Sequence, residues 1–61
     1  MKWTDFYFVD NETGDEFLVE VQDTQYAQKE ALEIAHENFS EPRLIGQISV
    51  AEAEALGLDT Y

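Results

Sequence analysis

The sequence predicts a small α+β domain with the element order β-β-α-β-α. Three observations lead to this fold class. Aromatic and β-branched residues fill two short segments on either side of a glycine-containing turn. A stripe of alanines at helical spacing follows them. A short apolar run then precedes a Ser-x-x-Glu helix start. A chain of 61 residues is long enough for one core only, so residues 1–61 are predicted to form a single acidic α+β domain.

Two strands joined by a turn are predicted at the N-terminus. Lys2–Asp10 is rich in aromatic and β-branched residues, and Asp15–Gln22 alternates between apolar and polar residues. Asn11–Gly14 connects them, because asparagine favours turns and Gly14 tolerates positive φ. We therefore expect a β-hairpin with a four-residue loop, and a three-residue bulged loop is the alternative.

The register of this hairpin decides which side chains enter the core. With the four-residue loop, Phe8 lies opposite Phe17, and Phe6 lies opposite Val19. The face expected under the long helix then holds Phe6, Phe8, Phe17, Val19 and Val21. The opposite face holds Trp3, Tyr7, Val9 and Leu18 together with Asp5, Glu16 and Glu20. The bulged loop would shift the register and exchange part of these two sets, because side chains alternate with a period of two. We prefer the first register because it keeps charged residues out of the core.

A long amphipathic helix is predicted from Gln25 to about Phe39. Its apolar stripe consists of small and branched residues three or four positions apart: Ala27, Ala31, Ile34 and Ala35. Asp23 or Thr24 is the expected N-cap, because either side-chain oxygen can accept a hydrogen bond from the first turn. Pro42 ends the helix, because the residue before a proline is disfavoured in the α region.

A third strand is predicted over Arg43–Ser49, a short run with β-branched residues. If Leu44 and Ile48 face the long helix, regular alternation places Ile45 and Gln47 on the opposite face. The strand can lie beside the second strand, in parallel with a right-handed crossover, or beside the first, which makes the sheet fully antiparallel. The sequence leaves this order open.

A short second helix is predicted to follow the third strand and to end at about Leu56. Ser49 and Glu52 have the spacing of a capping box, in which each side chain accepts a backbone N–H of the other residue. Gly57 stands where helices commonly end in a left-handed residue. The tail that follows can pack back on the sheet through Leu58 and Tyr61. This helix or tail is one candidate cover for the second sheet face.

The charge balance excludes several function classes. Fourteen acidic residues stand against three basic ones, a net charge of −11, which disfavours direct binding to nucleic acid and to anionic membranes. The chain has no cysteine, and therefore no disulfide, thiolate zinc site or thiol nucleophile. No signal-like segment or membrane-spanning apolar run occurs, so we expect a cytoplasmic protein. The start at Met1 favours a complete gene product, with a fragment of a longer protein as the alternative.

No cofactor, metal site or catalytic set is predicted. The acidic turn that begins at Asp10 fails the EF-hand pattern, because glycine falls at position 5 rather than 6 and Val21 replaces the bidentate glutamate. His36 is the only histidine and has no second histidine or cysteine to complete a metal site. A chain this short also leaves little room for a cleft, so an enzyme is not expected.

Two surfaces are candidates for partner binding. The acidic surface comprises Asp10, Glu12, Asp15, Glu16, Glu30, Glu33, Glu37 and Glu41, at the hairpin tip and along the outer side of the long helix. The apolar surface comprises Trp3, Tyr7, Leu18 and Ile45. The first predicts a protein partner with a basic surface, and its most specific form is mimicry of nucleic acid toward a nucleic-acid-binding protein. The alternative is a self-associating accessory protein that forms a homodimer through the apolar surface.

In size and acidity the chain is similar to small accessory proteins of bacteriophages and mobile elements. Several of those proteins act as nucleic-acid mimics. The likeness is one of composition, and it implies the same non-enzymatic binding role that the charge distribution predicts.

Overall fold

A computed structural model describes residues 1–61 and has the predicted element order. The elements are β1 (Trp3–Asp10), β2 (Glu16–Gln22), α1 (Ala27–Asn38), β3 (Pro42–Ile48) and α2 (Val50–Leu56). They form one three-stranded sheet with the strand order β2-β1-β3. Because β3 lies beside β1, every pairing is antiparallel, which decides the strand order that the sequence leaves open.

The hairpin adopts the four-residue loop. Phe8 pairs with Phe17 and Phe6 with Val19, so the preferred register is confirmed. Asp10 N donates to Asp15 O at 2.8 Å and closes the loop, in which Gly14 has a φ of 80°. A residue with a Cβ is strained at that angle, which explains why glycine occupies the position.

The core lies between α1 and one face of the sheet, as predicted. The buried cluster consists of Phe6, Phe8, Phe17, Val19, Val21, Ala27, Ala31 and Ala35. The alanines allow the helix backbone to approach the sheet closely, and the phenylalanines fill the space beneath it. Phe39, just after the helix, stacks on Phe17 with the ring centroids 3.9 Å apart.

The start of α1 differs from the prediction. The helix begins at Ala27, Tyr26 occupies the N-cap position, and no side chain caps it. Thr24 instead accepts a hydrogen bond from Tyr26 N at 3.1 Å in the turn before the helix. The polar side chain therefore stabilises a local turn rather than the helix end, a competition typical of threonine.

A β-bulge in β3 puts two of its residues, Gln47 and Ile48, on the sheet faces opposite to those predicted. Phe8 pairs with Leu44 and Tyr7 with Gly46, so Ile45 is an extra residue between them. Residues directly opposite each other share a face, so beyond the bulge Gln47 joins the α1 side and Ile48 the other side. Gln47 donates to Thr4 Oγ1 at 2.9 Å. The predicted positions of Gln47 and Ile48 were wrong because regular alternation does not survive an inserted residue.

The second helix has the predicted termini. Ser49 accepts from Glu52 N at 3.2 Å, Glu52 accepts from Ser49 N at 3.4 Å, and Gly57 is left-handed with a φ of 65°. The helix lies on the sheet face opposite α1, in contact with β1, and its Ala53 is buried. It therefore covers part of the face that the sequence leaves open.

The C-terminal tail adds a short parallel segment to the outer edge of β2. Leu18 N donates to Asp59 O at 2.9 Å, Tyr61 N donates to Leu18 O at 2.8 Å, and Glu20 N donates to Tyr61 O at 3.0 Å. The Tyr61 ring meets Phe17 edge-on, with the centroids 5.7 Å apart. The tail packs back through Tyr61, but on the α1 side of the sheet; only Leu58 lies over the second face, where the whole tail was a candidate cover.

Candidate functional site

Most of the predicted acidic surface is exposed to solvent. Seven of its eight side chains are exposed: Glu12, Asp15, Glu16, Glu30, Glu33, Glu37 and Glu41. On α1, Glu30, Glu33 and Glu37 follow one stripe away from the buried alanines, because steps of three and four residues return to the same side of a helix. The stripe points away from the sheet and is accessible to a macromolecular partner.

Asp10 does not belong to this surface, and its assignment there was wrong. Its side chain is 1% exposed. Asp10 Oδ1 accepts from Glu41 N at 2.8 Å, and Oδ2 accepts from Thr13 Oγ1 at 3.0 Å. Two donors hold this carboxylate in place, so Asp10 is a structural residue that joins the hairpin to the α1–β3 connection.

This junction brings the two predicted acidic regions together. Asn11 N donates to Glu41 O at 2.9 Å, and Arg43 Nε donates to Asn11 Oδ1 at 3.2 Å. Glu41, the last acid after the α1 stripe, therefore lies beside the hairpin tip. The acidic stripe of α1 therefore ends beside the hairpin tip, whereas Glu16 lies on the other sheet face, where it accepts from the Tyr7 hydroxyl.

The predicted apolar surface is incomplete. Leu18 is 1% exposed, so it cannot contact a partner, and its inclusion was wrong. Its backbone pairs with Asp59 and Tyr61, which places the tail beside it. Trp3 and Ile45 remain about half exposed, at 50% and 45%. Tyr7 is partly buried, and its hydroxyl donates to Glu16 at 2.9 Å.

A second acidic feature, absent from the sequence prediction, lies beneath α2. A cavity of about 140 Å³ separates α2 and the tail from the sheet, although a chain of this length predicts little room for a cleft. Its lining includes three carboxylates, Asp5, Glu20 and Glu54, from β1, β2 and α2 respectively. Glu20 and Glu54 are exposed at its rim, whereas Asp5 is 1% exposed at its floor. The apolar part of the wall includes Val50, Ala53 and Leu58.

Asp5 is the only side chain with buried polar atoms that lack a hydrogen-bond partner: neither of its carboxylate oxygens has a donor. Burial, aided by the negative charges of Glu20 and Glu54, raises the pKa of Asp5 from 3.8 to about 6. The cross-strand pairing with Glu20 brings the two acids together. Near pH 6 Asp5 itself is protonated for part of the time.

Part of this arrangement could have been read from the sequence. The predicted register already places Asp5 and Glu20 on the same sheet face, as the structure confirms. The missing information was the path of α2, which crosses that face and removes Asp5 from water. Nothing in the spacing of Ser49 to Gly57 specifies this crossing.

The cavity does not resemble a metal centre. No group of three or more histidine, cysteine or acidic side chains in the chain is close enough together to hold a metal ion. The three carboxylates therefore surround the cavity without converging on one point.

Two further observations concern the whole chain. No helix is both long enough and apolar enough to cross a bilayer. Comparisons with protein-family models, with curated proteins and with solved structures found no match to the chain. The function must therefore be argued from the chain's own surfaces.

Proposed function

We propose that this protein is a cytoplasmic, non-enzymatic binding protein that engages the basic surface of a nucleic-acid-binding protein as a nucleic-acid mimic. The observation that carries the proposal is the row of exposed carboxylates on α1, Glu30, Glu33 and Glu37, which ends beside the acidic hairpin tip. The helix and the hairpin are tied together through Asp10 and Glu41.

The geometry of α1 supports this form of recognition. Side chains three or four residues apart on a helix have Cβ atoms about 5–6 Å apart. Glu30, Glu33 and Glu37 thus present regularly spaced negative charges, as the phosphates of a nucleic-acid strand do. A groove lined with lysine and arginine is the surface that such a row complements.

The charge pattern has a folding cost that binding offsets. Glu33 and Glu37 repel each other at i, i+4, and the net charge of −11 adds repulsion throughout the domain. A basic partner relieves this repulsion. The interaction is therefore expected to depend strongly on ionic strength.

The test begins with purified wild-type protein immobilised as bait in a lysate of its source organism. Supporting proteins are nucleic-acid-binding proteins that elute with duplex DNA or RNA as competitor. The Glu33→Lys/Glu37→Lys variant should lose them. The matched control is Asp23→Lys/Asp59→Lys, which makes the same change in charge at exposed positions away from this surface. Circular dichroism checks that both variants fold.

Salt dependence provides the quantitative criterion. With a captured protein in purified form, the dissociation constant should rise by at least about tenfold between 50 and 200 mM salt, as expected for contacts between several charges. Undiminished binding by the Glu33→Lys/Glu37→Lys variant would reject the proposal. Equal loss in the control variant would also reject it, because general charge rather than this surface would then be responsible.

A further inference from the structure

We propose that the cavity beneath α2 is a binding site for a guanidinium group, with Asp5 as the residue that pairs with it. The site is separate from the acidic surface, because α2 and α1 lie on opposite faces of the sheet. It involves Asp5, Glu20 and Glu54, none of which belongs to that surface. The inference therefore stands or falls independently of the function proposed above.

The Asp5 carboxylate has no hydrogen-bond partner in the folded chain. Both oxygens of Asp5 are buried and lack any donor, and Asp5 lines the cavity floor. A buried ionised carboxylate without a partner is strongly unfavourable, and proteins nearly always pair such groups. The cavity lining supplies no cationic side chain and only one hydroxyl, that of Thr60. A bound cation would supply the missing donors when Asp5 is ionised.

The charged side chains that line the cavity are all acidic. Asp5, Glu20 and Glu54 surround the same small space, and none of the chain's three basic residues, Lys2, Lys29 and Arg43, lines it. Like charges around a low-dielectric space raise one another's energy, and an entering cation lowers it. The ligand is thus a cation rather than a neutral polar molecule.

The shape and size of the cavity suit a guanidinium better than a metal ion. The carboxylates do not converge as metal ligands do, which disfavours a bare divalent ion. A volume of about 140 Å³ is close to that of a cavity that holds a benzene ring, so it accommodates a small planar group. A guanidinium fits within this volume, is weakly hydrated, and offers parallel N–H donors that match both oxygens of one carboxylate. Its other donors can reach toward Glu20 and Glu54, and the apolar wall suits its planar faces.

The experiment is a ¹H–¹⁵N NMR titration of the intact chain with N-acetylarginine amide. We expect saturable shifts centred on the amides of Asp5, Glu20, Ala53 and Glu54. N-acetylcitrulline amide has a similar shape without the charge, and it should produce no saturable shift. N-acetyllysine amide should bind more weakly, because an ammonium cannot bridge both oxygens of Asp5 in the same way.

Variants distinguish this site from general attraction to an acidic protein. Asp5→Asn should weaken binding of N-acetylarginine amide by at least about tenfold, as expected when one partner of a buried charge pair is removed. Glu20→Gln/Glu54→Gln, at exposed rim positions, should weaken it as well. Asp23→Asn removes one charge at an exposed position outside both surfaces and should leave binding unchanged.

Two outcomes would overturn the inference: non-saturating shifts spread over the acidic residues, or equal binding by wild type and Asp5→Asn. Titrations with methylguanidinium and with an arginine-containing peptide distinguish two sources of the ligand, a free guanidinium compound and an arginine side chain of another protein. Methylguanidinium binding as tightly as N-acetylarginine amide supports the free compound. Tighter binding of the peptide supports the arginine side chain.

Discussion

Asp5 and Glu20 lie directly opposite each other on adjacent antiparallel strands, so two acids form one cross-strand pair. Such like-charge pairs destabilise a sheet even at its surface. Here the effect is larger, because α2 buries Asp5 and the pKa of Asp5 rises to about 6. An apolar residue at position 5 would avoid this like-charge pair.

The raised pKa of Asp5 predicts that stability falls as the pH rises. The folded chain holds the Asp5 proton up to about pH 6, whereas the unfolded chain releases it near 3.8. The Asp5 contribution is therefore fully favourable below about pH 4 and is lost as the pH rises through 6. A shift of this size corresponds to about 3 kcal/mol.

Asp5→Asn isolates this contribution from that of the other acids. Urea unfolding between pH 4.5 and 8 should show an advantage of Asp5→Asn over wild type that grows with pH, up to about 3 kcal/mol. The ¹³C shift of the Asp5 carboxyl carbon gives its pKa directly. A constant difference between the two proteins across this range would contradict the prediction.

Asp10 is expected to contribute to stability despite its place in an acidic turn. Asp10→Ala leaves the Glu41 N–H without its acceptor in a part-buried position and should lower the free energy of unfolding by about 1–3 kcal/mol. The exposed neighbour Glu12 provides the control, since Glu12→Ala should change stability by less than about 0.5 kcal/mol. Equal effects of the two substitutions in urea unfolding would refute the structural role of Asp10.

Tyr61 is expected to stabilise the domain although it is the last residue. Its ring makes edge-on contacts with Phe17 and Phe39, and each aromatic pair contributes about 0.5–1.5 kcal/mol. Tyr61→Ala should therefore cost about 1–2 kcal/mol in thermal or urea unfolding. Tyr26→Ala, at a side chain that is 60% exposed, should have little effect. A Tyr61→Ala protein as stable as wild type would show that the tail is not docked.

The capping box of α2 should control the burial of Asp5. Ser49→Ala removes the side-chain acceptor for Glu52 N and should destabilise the protein by about 1 kcal/mol. Because α2 then frays, water reaches Asp5 more often and its pKa should move back toward 3.8. Ser40→Ala, at an exposed loop position, should change neither quantity. An unchanged Asp5 pKa in Ser49→Ala would argue against this coupling.

Local patterns in the sequence were sufficient for the elements and for the core. The pairing of Phe8 with Phe17 followed from the loop length, and the Ser49–Glu52 capping box followed from two residues. Tertiary features were not readable in this way. The extra residue at Ile45 exchanged the sheet faces of Gln47 and Ile48, and no residue type in β3 predicts a bulge at that position.

The acidic residues show the same limit most clearly. Asp5, Asp10 and Asp15 are the same residue type. In the structure Asp5 is unpaired beneath α2, Asp10 is held by two hydrogen bonds, and Asp15 is exposed. The composition gives the total charge of the chain. Which acidic side chains a partner can reach depends on two tertiary features, the crossing of α2 over the sheet and the contact between the hairpin and the α1–β3 connection.

The docked tail also determines how copies of this chain can assemble. Asp59–Tyr61 occupies part of the outer edge of β2, while β3 remains an edge strand. An unpaired edge strand can accept one further strand, and pairing between two β3 strands closes the assembly after a single step. Removal of the tail would free the β2 edge, and each molecule would then have two open sides. The last three residues thus occupy part of one of the two sheet edges to which a further strand could add.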